Sequence, residues 1–153
     1  AIVMQARELN DVERSLVRKH TVAGAEMLSD DRYPRILIAR DVAKFHHAHW
    51  DGSGYPGNVA RESIPLAARM CAVADTYDTL VTDRSYRKAR SMADALLELN
   101  RVAGSQLDPS LVKSFEQMIK REAANEGIDP SAEVGLDSFQ QLITALTEDR
   151  GFL

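Results

Sequence analysis

The stretch HHAHWDGSGYPG, from His46 to Gly57, constrains this chain more than any other part of its sequence. It holds three histidines within four positions, followed by a loop rich in glycine. Histidine is the most common metal ligand in proteins, and neighbouring helical residues diverge by about 100°, so His46 and His47 could grip one ion from two directions. The glycines allow close backbone approach and Pro56 fixes the loop exit, which predicts Tyr55 at the rim of the site. The alternative is a helix end with surface histidines and an ordinary turn.

Composition and charge exclude several classes of partner. The 153 residues suffice for one domain with a core, and a hydrophobic fraction of 44% is ordinary for a soluble globular protein. The net charge of −4 argues against a nucleic-acid duplex or an anionic membrane as the main partner. No apolar run is long enough to span a bilayer. The single Cys71 cannot form an internal disulfide, which predicts a reducing compartment and a cytoplasmic location.

The hydrophobic periodicity predicts an all-α fold with short polar links and no convincing strand. Capping signals mark several starts: Asn10 with Glu13, Pro65, Ser91, and Asp108 with Pro109. The first predicted helix starts at Asn10 and ends at His20. The others run over Val22–Leu28, Arg35–His47, Pro65–Val81, Ser91–Ala103, Asp108–Glu122 and onward from Asp137. We predict a main domain over residues 1–122, a linker over 123–135 and an amphipathic C-terminal helix over 136–153.

Two further groups of charged residues stand out along the chain. Asp75 lies in a helix that is apolar on most sides, and a buried carboxylate there would need a partner or a metal ion. The alternative for Asp75 is an ordinary exposed helix face. The run DRSYRKARS carries Arg84, Arg87, Lys88 and Arg90, which form either a solvated basic turn or a phosphate clamp beside a metal site.

Several spaced motifs together resemble the HD-GYP family of bacterial metal-dependent phosphodiesterases that hydrolyse cyclic di-GMP. These motifs are HHAHWDGSGYPG, IPLAARMCAVADTYDTLVTDRSYRKARS and AGSQLDPSLVKSF, and the match runs from about Ile2 to Phe115. The resemblance implies a helical bundle around two or three divalent metal ions, iron or manganese, with zinc as a further option. Matched position by position, it implies metal ligands at His20, His46, His47 and Asp75, and substrate contacts at Tyr55, Arg84 and Arg87. His49 matches no ligand position.

The chain departs from the family pattern at two points. Ala48 stands where the family usually has glutamate, which removes a possible acceptor for a histidine N–H. No His-Asp dipeptide occurs in the chain, and by the resemblance that pair belongs roughly ten residues before Ala1. Because the aspartate of the pair bridges the metals in the family, we expect at most one ion from the ligands present. We therefore expect the chain by itself to be better equipped to bind than to cut.

The resemblance predicts a phosphodiesterase of second-messenger signalling whose His-Asp segment lies upstream of this chain. Its partners would be cyclic di-GMP or the linear product, an upstream receiver or sensor domain, and a protein partner or a second copy. One alternative is a degenerate module that binds nucleotide or protein without hydrolysis. Another is an HD-type phosphohydrolase acting on a different nucleotide.

Overall fold

The computed structural model describes residues 9–28, 32–83 and 88–129, and all of the regular elements there are helical. The α-helices are α1 (Asp11–Met27), α2 (Pro34–Phe45), α3 (Leu66–Val81), α4 (Met92–Val102) and α5 (Pro109–Glu126), with a 3-10 turn at Arg61–Ser63. The β-structure within these ranges is one isolated bridge between Ala103 and Leu107. The all-α prediction is confirmed. In the described part of the chain, no helix combines the length and the apolar character needed to cross a membrane.

The chain divides into two compact units, Ala1–Ala72 and Val73–Leu153, and the boundary falls within the sequence of α3. In the first unit, α1 begins with a capping box in which the Asn10 side chain accepts the Glu13 N–H at 2.9 Å. Helices α1 and α2 pack against each other. Gly24 lies at their contact, where an added Cβ would be 3.5 Å from the Ala43 Cβ. This packing places the C-terminal part of α1 against α2 in the unit that carries the histidines.

A small apolar cluster lies beneath the loop that follows α2. Ala48, Ile64 and Ala68 are buried there, and Phe45 and Val59 pack against them. The loop is thus attached at both of its ends, since Ala48 lies just after α2 and Ala68 lies in the first turn of α3. This attachment fixes the course of residues 49–63 above the cluster.

The second unit is built on α4 and α5, together with the later part of α3. Ser91 caps α4 by accepting the Asp94 N–H at 3.1 Å, and Asp108 caps α5 by accepting the Ser110 N–H at 2.9 Å. Among its described residues, the core consists of these buried side chains: Val73, Tyr77, Leu80, Val81, Met92, Ala95, Leu96, Leu99, Leu107, Val112, Ile119 and Ala123. The Tyr77 ring meets Phe115 edge-on, with centroids 5.2 Å apart.

Three boundaries differ by more than one residue from those that the sequence predicts. Helix α1 is one continuous helix through Met27, where the sequence indicated one helix to His20 and another from Val22. Helix α2 ends at Phe45, so His46 is its C-cap residue and His47 lies beyond it. Helix α5 continues to Glu126 and ends at Gly127, whose φ of 66° suits glycine, so the first four residues of the predicted linker are helical. The predicted C-terminal helix over 136–153 lies outside the described residues.

Candidate metal centre

Helices α1 and α2 bring three imidazoles together in the first unit. His20 comes from the middle of α1, while His46 is the C-cap residue of α2 and His47 directly follows it. The Nε2 atoms of His20 and His46 are 3.3 Å apart, and one ligand nitrogen from each of the three rings lies within 4.8 Å of the others. The His47 ring centroid lies 4.1 Å from that of His46 and 5.2 Å from that of His20. The structure therefore brings together three of the four predicted metal ligands.

The backbone orients two of these rings. His20 Nδ1 lies 2.6 Å from the Val17 carbonyl oxygen, and His46 Nδ1 lies 3.0 Å from the Val42 and Ala43 carbonyl oxygens. A carbonyl oxygen only accepts, so each Nδ1 must carry the proton and donate. Each Nε2 of a neutral ring is then an acceptor. Metal-ligating histidines commonly use this arrangement, in which the second nitrogen donates to a backbone carbonyl and fixes the ring.

The spacing of the two Nε2 atoms fits a shared cation. Two acceptor nitrogens that face each other at 3.3 Å repel unless a positive charge lies between them. A proton can be shared by only two of the rings, whereas a metal ion can use the third as well. A tetrahedral ion with metal–nitrogen bonds of about 2.0–2.1 Å separates its ligand nitrogens by about 3.3 Å. The donor set of His20, His46 and His47 thus fits one divalent transition metal ion, without selecting which one.

Gly54 allows the loop to fold back against the end of α2. A Cβ at this position would collide with the His47 carbonyl oxygen and the His49 nitrogen, so no larger residue fits without moving the backbone. The Tyr55 N–H donates to the His47 carbonyl at 3.1 Å, and the Tyr55–Pro56 peptide bond is cis. This backbone contact holds the tyrosine next to a histidine of the cluster.

The other side of the loop is closed by short-range polar contacts. The Ser53 N–H donates to Asp51 Oδ1 at 2.8 Å, and the Gly52 N–H donates to the His49 carbonyl at 2.9 Å. Hydrogen bonds from Ser53 lower the pKa of the Asp51 carboxyl below its ordinary value. His49 Nδ1 shares a hydrogen bond of 3.0 Å with Ser53 Oγ, so this histidine belongs to the loop. Its position agrees with the expectation that His49 is not a metal ligand.

Tyr55 links the histidine cluster to a positive charge on α1. Its ring centroid lies 4.8 Å from that of His47 and 6.3 Å from that of His20. The guanidinium carbon of Arg18 lies 5.0 Å from the centroid of the same ring. Burial raises the pKa of the Tyr55 phenol above 10.0, and the charge of Arg18 opposes that increase. The phenol therefore stays protonated at neutral pH and can donate a hydrogen bond.

The remaining predicted site residues are Asp75, Arg84 and Arg87. Asp75 is exposed on α3 and belongs to the second unit, so its role as a metal ligand stays a prediction. Arg84 and Arg87 lie outside the described residues. Sequence reasoning did not identify Arg18, because no motif reports a contact between α1 and a loop that follows 35 or more residues later.

Comparisons with known proteins identify the family. The HD domain family matches residues 2–111. The chain belongs to the HD domain family. This family match, together with relatives named as cyclic di-GMP phosphodiesterases, confirms the resemblance to the HD-GYP family seen in the sequence. The chain is 39% identical over 118 residues to a cyclic di-GMP phosphodiesterase of Pseudomonas aeruginosa, and these residues cover 77% of this chain and 28% of that protein.

Other relatives are named for the same activity or for hydrolysis of a related cyclic dinucleotide. The cyclic di-GMP phosphodiesterase response regulator RpfG of Xanthomonas campestris is 36% identical over 115 residues, which cover 75% of this chain and 30% of RpfG. A 3′3′-cGAMP-specific phosphodiesterase of Vibrio cholerae is 32% identical over 113 residues, covering 74% of this chain and 22% of that enzyme. This chain thus spans less than a third of the length of these relatives.

A solved structure supports the fold. The crystal structure of a cyclic GMP-AMP specific phosphodiesterase of V. cholerae aligns with a TM-score of 0.62 at 24% identity. The alignment covers 89% of this chain and 30% of that one. At this identity the match supports the helical fold alone.

Proposed function

We propose that this chain is the greater part of the HD-GYP domain of a metal-dependent phosphodiesterase that hydrolyses cyclic di-GMP in bacterial second-messenger signalling. One observation carries the proposal: the Nε2 atoms of His20 and His46 face each other at 3.3 Å beside His47 and the GYP tyrosine. The relatives named as cyclic di-GMP phosphodiesterases support the substrate class.

The chain's own residues have defined parts in this proposal. His20 and His46 hold their Nδ1 protons on backbone carbonyls and offer Nε2, while His47 supplies the third nitrogen. A divalent cation, when bound, supplies Lewis-acid chemistry that polarises a phosphoryl oxygen and makes water more acidic. The protonated Tyr55 donates a hydrogen bond to a phosphate oxygen at the rim of the site. We propose iron or manganese as the ion, and one ion for this set of three histidines.

Further parts of the proposal come from the family resemblance. Asp75 would be a ligand of a second ion, and Arg84 and Arg87 would contact the phosphates of the substrate. An upstream receiver or sensor domain would control the activity, since one relative is itself named a response regulator. We also propose a cytoplasmic location, in agreement with the single, half-buried Cys71.

The test is product analysis with the intact protein that carries this chain. After loading with Mn²⁺ or Fe²⁺, cyclic di-GMP should be converted to the linear dinucleotide or to GMP. Changing His46 to alanine removes a ligand, so the loss of activity should exceed the roughly 10- to 100-fold typical of outer-shell changes. His49→Ala, which alters a histidine outside the cluster, is the matched control and should retain activity. Equal activity in all three proteins would contradict the proposal.

A second candidate function is a regulatory module that binds the nucleotide without cutting it. The burial of Ala48 favours this candidate, because an apolar side chain packed against Ile64 and Ala68 stands where the family usually has glutamate. In this case the intact protein would bind cyclic di-GMP and release no product. Binding with no turnover, under conditions that load the metal, would decide for the regulatory module.

A further inference from the structure

Arg18 is a charged residue next to the histidine cluster that no motif of the chain accounts for. It lies on α1, two residues before His20, and its side chain is exposed. Its guanidinium carbon lies 5.0 Å from the centroid of the Tyr55 ring, and that ring in turn lies 4.8 Å from the His47 ring. Tyr55 thus bridges the positive charge of Arg18 and the candidate metal ligands.

The contact with the ring leaves the hydrogen-bonding capacity of Arg18 unused. A guanidinium over an aromatic face is held by the ring's electrons, and its N–H donors still need oxygen acceptors. Among the described residues, no carboxylate forms an ion pair with Arg18. Arg14, on the same helix, does have a carboxylate partner, because its Nε lies 3.7 Å from Asp11 Oδ1. Arg18 is therefore a positioned cation whose charge is not neutralised by this part of the protein.

We propose that Arg18, seated on Tyr55, forms a binding site for a phosphate of the cyclic dinucleotide beside the histidine cluster. This inference rests on the proposed function. A planar guanidinium matches the geometry of two phosphate oxygens, and a phosphate is the acceptor that the substrate brings to this place. Tyr55 then has two roles. Its hydroxyl donates a hydrogen bond to the substrate, and the face of its ring holds Arg18 in place.

The experiment is calorimetric binding of cyclic di-GMP to the Mn²⁺-loaded, 153-residue chain, with metal content measured on each sample. Arg18→Gln should weaken binding on the order of tenfold or more, because a charge-assisted hydrogen bond is lost. Arg18→Lys keeps the positive charge but loses the paired N–H donors of the planar guanidinium. Its affinity should therefore lie between that of the unmodified chain and that of Arg18→Gln. Arg14→Gln is the matched control, and it should bind like the unmodified chain. Metal content should be the same in all four proteins.

Two further arms separate a phosphate contact from other roles of Arg18. Guanosine has no phosphate, so its binding should be equal in the unmodified chain and in Arg18→Gln. In a Tyr55→Ala background, the platform for Arg18 is missing, and the additional effect of Arg18→Gln should be much smaller than in the unmodified chain. A Tyr55→Phe background keeps an aromatic face, and there the full effect of Arg18→Gln should return.

The outcomes distinguish this inference from the function on which it rests. If the unmodified chain does not bind cyclic di-GMP, the proposed function is overturned and the inference with it. If the unmodified chain binds and Arg18→Gln binds equally well, the inference alone is overturned. A parallel loss of metal in Arg18→Gln would also overturn it, since Arg18 would then act on the histidines and not on phosphate.

Discussion

In the second unit the described residues form an extended apolar core, whereas the first unit holds few buried side chains and carries the histidine cluster. Twelve of the sixteen buried apolar residues found in the described part of the chain lie in the second unit, among them Leu99 at 0% exposure. The first unit contributes four, of which three are alanines. Its loop is shaped by backbone hydrogen bonds and by the missing side chain of Gly54. Stability and site geometry therefore depend on different residues and should respond to different substitutions.

The largest expected effect is on the core of the second unit. Leu99→Ala removes a fully buried side chain and leaves a cavity, which should lower the free energy of unfolding by about 2–5 kcal/mol. Chemical denaturation measures the change, and Leu97→Ala, at a leucine of the same helix that is 71% exposed, is the control with little expected effect. The metal content of the folded fraction should not change. A lower metal content in folded Leu99→Ala would contradict the claim that stability and site geometry depend on different residues.

A smaller loss of stability, with a large effect on the site, is expected for Gly54→Ala in the first unit. The added Cβ collides with the backbone of residues 47–49, so the loop must shift, at a cost of about 1–3 kcal/mol. Because the same backbone carries His47 and accepts the Tyr55 N–H, metal affinity should fall with it. Gly57→Ala adds a Cβ with no heavy atom within 4 Å, and it should leave both properties unchanged. Equal metal affinity in the two variants would show that the loop does not shape the site.

The smallest effect concerns the pH dependence of the second unit. Burial raises the pKa of Tyr77 to about 12, above the value of 10.0 for an exposed tyrosine. The unfolded chain therefore ionises first as the pH rises, so stability is unaffected below about pH 10 and declines between about pH 10 and 12. At pH 11 the decline attributable to Tyr77 is on the order of 1 kcal/mol. Unfolding curves of the chain and of Tyr77→Phe, compared from pH 8 to 11, isolate this contribution. Parallel pH profiles would contradict the assigned pKa.

Local signals in the sequence predicted the second unit better than the first. Ser91 and Asp108 each cap a helix through a side-chain oxygen, and both helices begin where these residues predict. The end of α5 was placed too early, although Gly127 is a typical terminator. In the first unit, Thr21, Val22 and Gly24 are weak helix formers, which favoured a break after His20. Packing of α1 against α2 overrides that preference, and no local pattern reports such a contact.

The sequence indicated which histidines to consider at the site, but it did not indicate how their rings are oriented or which residues surround them. Residue type and spacing in the motif around His46 indicated His46 and His47, and the family resemblance added His20. The tautomers follow from carbonyl oxygens of the flanking helix turns, which become visible only in three dimensions. The position of Arg18 over Tyr55 depends on the course of the loop, so it could not be predicted from either segment alone.

Metal content per chain, measured by elemental analysis after loading and desalting, tests the central claim that His20, His46 and His47 hold one ion. The unmodified 153-residue chain and His49→Ala should contain the same amount of metal. His46→Ala should contain one ion per chain less, because it removes one of the two facing Nε2 atoms. Equal metal content in His46→Ala and the unmodified chain, with both proteins folded, would contradict the assignment of this cluster as a metal centre.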